Sequence, residues 1–204
     1  RYNCGWRHEV PSVRKTISDF RNIFPRARPS SRAAFLFQFN GDPLWKTTFE
    51  TTLSETDALL SETKGPYFAG DKLTTADIAW APFLERYRYQ LPCLHAGLEP
   101  NDPTVYPHLA AWYKTMDEQV PAYACRVKGD ASSWRKVLTM AGFGNAGLPP
   151  QIDQNMGALQ DKELQEAKDC IQQQDLWTRY AAERAYVADT PAAEAARVIT
   201  TNRQ

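Results

Sequence analysis

The stretch that most restricts the fold runs from Phe68 to Tyr87, FAGDKLTTADIAWAPFLERY. Thr74 places a side-chain oxygen where it caps the first turn of a helix. Asp77, three positions on, reaches back to the amide of Thr74. This reciprocal pair is a capping box, with Asp in the place usually held by Glu or Gln. Leu73 before the cap and Ile78 after the box have the spacing of a hydrophobic staple. Ile78, Ala79, Trp80, Ala81, Phe83 and Leu84 are apolar nearly all round, which predicts a buried helix. A buried helix start cannot leave its amides to water, so the cap is worth more than the ~1 kcal/mol of an exposed one. Pro82 predicts a kink rather than an end, because the apolar pattern resumes at once.

Other helices follow from the same kind of signal. Pro11 and Ser12 open one with Val13, Ile17, Phe20 and Phe24 on a single face, and Pro25 ends it. Ser31 caps a short segment with Phe35, Leu36 and Phe39; Phe35, Phe37 and Phe39 also alternate, which leaves a strand open there. Asp42-Pro43 begins a helix to about Glu62, with Trp45, Phe49, Leu53 and Leu60 inward. Leu91 to Thr104, with three prolines, reads as a long loop. Pro107 opens a helix bearing Leu109, Trp112, Tyr113 and Met116, and Pro121 a short one through Tyr123, Ala124 and Val127. Asp130 heads another with Trp134, Val137, Leu138 and Met140. Six or seven helices without a convincing strand predict an all-α helical bundle. Gly147-Leu148-Pro149-Pro150 closes it. Asp161 to Tyr186 then reads as one long amphipathic helix with Leu164, Ala167, Ile171, Trp177 and Tyr180 in its stripe. Pro191 to Gln204 reads as a frayed tail. The organisation is thus an arm over 1–10, a helical domain over 11–150, and an extension over 151–204.

The Leu-Thr-Thr-Ala-Asp-Ile box, after Tyr67-Phe68-Ala69-Gly70-Asp71 and before Ala81-Pro82-Phe83-Leu84-Glu85-Arg86, resembles the centre of the C-terminal helical domain of glutathione S-transferases. Tyr106-Pro107-His108-Leu109-Ala110-Ala111-Trp112-Tyr113 extends the resemblance, which covers roughly Pro11 to Val127. It implies that the first long helix lines a pocket for hydrophobic substrates, so that Phe20, Arg21 and Phe24 border it. It implies that Leu73, Thr74, Asp77 and Ile78 serve folding rather than catalysis. It also implies a thioredoxin-like domain in front, which binds and activates glutathione. The ten residues before Pro11 carry no βαβ pattern, so that domain is expected to be missing from this chain. No cofactor is then expected here; glutathione enters only where such an N-terminal domain exists.

The remaining motifs favour ordinary readings. Gly142-Phe143-Gly144-Asn145-Ala146-Gly147 has dinucleotide-fingerprint spacing, but it follows a helix and precedes two prolines instead of joining a strand to a helix. Cys93 with His95, and the isolated His8 and His108, do not make up a zinc site, so no metal is expected. Cys93 reads as a loop residue and Cys125 as core, neither beside an activating base. The chain has 43% apolar and 12% aromatic residues, enough for a core, and its net charge of zero argues against a general nucleic-acid binder. The positive charge is uneven: Arg1, Arg7, Arg14, Lys15, Arg21, Arg26, Arg28 and Arg32 face only Glu9 and Asp19. No stretch approaches the ~20 apolar residues of a membrane span. Four scattered cysteines without Cys-x-x-Cys spacing read as intracellular, in the cytosol or an organelle.

No catalytic constellation emerges. The leading expectation is a non-catalytic module that acts by protein–protein interaction, as a structural subunit of a larger assembly, through the basic N-terminal region and the C-terminal helix. The alternative is the hydrophobic-substrate half of a glutathione transferase or glutathione-dependent reductase.

Overall fold

The computed structural model describes residues 11–23, 46–129, 134, 138 and 170–202, with residues 20–22 and 170–173 described by their backbone. Among the described residues there are seven helices and no strand: α1 (Pro11–Ile23), α2 (Lys46–Ser61), α3 (Thr75–Leu94), α4 (Pro107–Gln119), α5 (Pro121–Arg126), α6 (Cys170–Ala182) and α7 (Pro191–Thr201). The fold is all-α. No described helix is long and apolar enough to cross a membrane.

α3 is the axis of the bundle. Trp80, Leu84, Tyr87, Leu91 and Cys93 are fully buried along it. α1 packs on α3 and α2, α2 on α4, and α4 on α5. Phe49 and Leu53 of α2 meet α3 and α4 in one core, with Leu109, Trp112 and Met116. Phe68, on the turn before α3, stacks on Trp80 with ring centres 4.6 Å apart and lies 5.9 Å from Trp112. The Trp80 indole N–H donates to the Thr16 carbonyl at 3.3 Å, which ties α1 to the axis.

Several expectations change. α3 does not stop before Leu91 but runs through Pro92 to Leu94. A proline in a helix removes one amide donor, and here Leu91, Cys93 and Leu94 bury apolar surface on either side of it. Ile78, expected in the buried face, is 61% exposed, and Leu73 is 41% exposed. The interior face of the first turn is instead Ala76, Asp77 and Trp80. At the far end, the single helix expected over Asp161–Tyr186 ends at Ala182 in its described part. The expected frayed tail is α7. Thr190 accepts from the Ala193 amide, and Pro191 occupies the first helical position, where its missing N–H costs nothing. Trp45, the alternating Phe35, Phe37 and Phe39, the helix from Asp130 apart from Trp134 and Leu138, the glycine cluster 142–147 and Pro149-Pro150 lie outside the described residues.

Candidate functional site

Asp77 is the polar centre of the core. Its Oδ2 accepts from the Thr74 amide at 2.9 Å and from the Thr74 hydroxyl at 3.1 Å. Its Oδ1 accepts from the Phe68 amide and the Trp112 indole, both at 3.0 Å. Thr74 Oγ1 in turn accepts from Ala76 N–H at 3.3 Å. One carboxylate therefore closes the helix start, pins the preceding turn and anchors α4. Nothing in this arrangement offers a lone pair to a substrate, since Asp77 has no exposed surface.

A second carboxylate, Glu85, lies two turns further along α3 and is also fully buried. The Tyr123 hydroxyl donates to its Oε2 at 2.5 Å, and the Gly129 amide to its Oε1 at 3.0 Å. Burial pushes the Glu85 carboxyl above its ordinary value, against the opposing pull of Tyr123, Arg88 and Gly129. Beside it, Arg88 pairs with Asp117 at 2.8 Å, and Lys128 reaches the same carboxylate at 3.2 Å. Asp57 of α2 acts for α4, which has no side-chain cap of its own. It accepts from the Leu109 amide at 2.8 Å and meets His108 Nδ1 at 3.1 Å.

The third buried carboxylate is Glu194 of α7. Arg197 donates to it through Nε at 2.9 Å and Nη2 at 2.8 Å, Ala188 N–H at 3.0 Å, and Arg126 Nη2 at 2.9 Å. The hydrogen bonds from Arg197, and then from Ala188, hold its carboxyl well below the ordinary glutamate range.

Of the sequence-expected pocket residues, Phe20 and Arg21 fall on α1, but their side chains, and Phe24 altogether, lie outside the described residues. Cys93 is a buried residue of α3, not a loop residue, and its thiol donates to the Tyr89 carbonyl at 3.3 Å. Cys125 is half-buried, and burial raises its thiol pKa. No group of three or more metal-ligating side chains occurs among the described residues. Glu85, Asp57 and Glu194 were not singled out from sequence. Glu85 had one signal, a charged residue inside an apolar helix; Thr190-Pro191 was the signal for α7.

Residues 23–115 match the family model for the glutathione S-transferase C-terminal domain. That span begins at the end of α1, contains the Thr74–Asp77 box and ends within α4. No curated protein and no solved structure gives a match. Across those residues, just under half of its length, the chain is similar to the glutathione S-transferase C-terminal domain family.

Proposed function

We propose that this chain is the helical, non-catalytic half of a glutathione-transferase-type protein. It supplies a wall for a hydrophobic co-substrate, while a thioredoxin-like unit binds and activates glutathione. One observation supports this reading: the three buried carboxylates among the described residues, Asp77, Glu85 and Glu194, and the half-buried Asp57, are spent on amides, indole, hydroxyl and guanidinium groups of the fold. The pocket border takes Phe20 and Arg21 of α1, and Phe24 after it in the sequence. Glutathione-agarose and conjugation assays with an aryl halide test the reading. The chain alone passes through the resin and does not conjugate. Joined to a thioredoxin-like domain it conjugates, and Phe24→Ala then raises KM for the aryl halide while leaving KM for glutathione unchanged. Stoichiometric retention of the chain alone on the resin would overturn the proposal.

A second reading, a module that works by protein–protein contact in a larger assembly, is favoured by apolar exposure near the C-terminus. Tyr186 is 69% exposed and Ile199 57%. The contact residues expected on the C-terminal helix do not support it equally. Trp177 and Tyr180 are already covered by α5 of the same chain. Sedimentation of the chain in native extract separates the readings: co-migration with a larger particle, lost on Ile199→Asp, favours the second.

A further inference from the structure

We infer that α6 and α7 form a strap across α5, held shut by Glu194, whose release uncovers the α5 face around Cys125. Three observations point this way. The apolar contact under the strap is a cluster of its own: Trp177, Tyr180 and Val187 are buried against Ala122, Cys125 and Ala181, apart from the main core. The polar contact converges on one buried carboxylate. Arg126 is the bundle's contribution to it, and the same guanidinium donates from Nε to the Tyr180 hydroxyl at 2.8 Å and lies over the Tyr180 and Trp177 rings at 5.2 and 5.7 Å. Arg197 and Ala188 bring α7 and its approach to the same oxygens. Beyond α5, the strap meets the bundle through a hydrogen bond from Arg179 to the Glu118 carbonyl at 3.0 Å.

An interface of few side chains closed by one charge opens locally before the molecule unfolds. Arg126 and Arg197 are each more than two-fifths exposed, so water receives them when the carboxylate leaves. Glu194, buried between them, has no such alternative in the closed form. The strap is therefore a two-position element biased by the charge on one side chain, and the face it covers offers Ala122, the Cys125 thiol and the Arg126 guanidinium side by side.

Site-resolved alkylation by iodoacetamide, read by peptide mass, tests this on the full chain. Cys125 reports the strap and Cys93, fully buried in α3, reports the core. In Glu194→Gln the Cys125 rate rises about tenfold and the Cys93 rate holds. Arg126→Gln, which removes the other half of the pair, repeats the pattern. A Cys125 rate within about twofold of wild type in both variants overturns the inference. Simultaneous exposure of Cys93 and Cys125 also overturns it, since the hairpin would then belong to one cooperative unit with the core.

Discussion

Asp77 accepts four hydrogen bonds from three parts of the chain, and two of them, from the Phe68 amide and the Trp112 indole, are buried. Asp77→Ala leaves the Phe68 amide and the Trp112 indole N–H buried without an acceptor. Each such group costs ~1–3 kcal/mol, so urea unfolding should show a loss of roughly 3–5 kcal/mol. Asp77→Asn keeps one oxygen for Phe68 and Trp112 but turns an NH₂ toward the Thr74 amide, a donor against a donor, and should lie between the two. Glu85 makes stability depend on pH. A carboxyl that holds its proton more tightly in the fold than in the unfolded chain contributes stability below about pH 4.3, the unfolded value, and loses it as pH rises through the folded value. Glu85→Gln retains an acceptor for Gly129 and a donor toward Tyr123. Its stability should fall less than that of the wild type as pH is raised through that window, seen as diverging urea midpoints. The Thr74–Asp77 pair was readable because its partners are three residues apart. The Trp112–Asp77 and Tyr123–Glu85 bonds join residues 35 and 38 positions apart, and no periodicity encodes them.

The turn before α3 and the helix it feeds stand or fall together. Gly65 has φ +153°, and a Cβ there would sit 2.2 Å from the Gly70 carbonyl oxygen, against backbone that cannot swing away. Tyr67 and Gly70 exchange two backbone hydrogen bonds at 3.1 Å, and this closed turn presents Phe68 to Asp77 and Trp80. Gly65→Ala therefore costs about 2–4 kcal/mol in urea unfolding, through both backbone strain and overlap. Gly70→Ala, where the nearest such atom is 3.9 Å away, pays strain at φ +117° alone and should cost less. Proline misled the sequence reading at Pro92 and Pro191. Pro92 lies within α3 because burial of Leu91 and Leu94 outweighs one lost donor. Pro191 marks the start of α7, with Thr190 as its cap. The starts of α4 and α5, both with proline at the first helical position, were readable for the converse reason.

The family match ends at residue 115, within α4, while α5, α6 and α7 lie beyond it. The packing draws its line nearby: Tyr123 of α5 belongs to the main core, while Ala122 and Cys125 of the same helix serve the smaller cluster. α5 is thus a hinge plate with one face to each body. Stability that depends on buried apolar area is divided unequally between a core of many large side chains and a cluster centred on Trp177, Tyr180 and Val187. Native-state hydrogen exchange in low urea should resolve the two. Amides around Leu84–Leu91 of α3 exchange only by global unfolding, with the full urea dependence. Amides of α6 and α7 exchange through an opening of lower free energy and shallower urea slope, because little surface is exposed when the strap lifts. Convergence of both sets on one free energy and one slope at zero urea would mean that the smaller cluster has no independent opening and that α5 transmits every fluctuation from one face to the other.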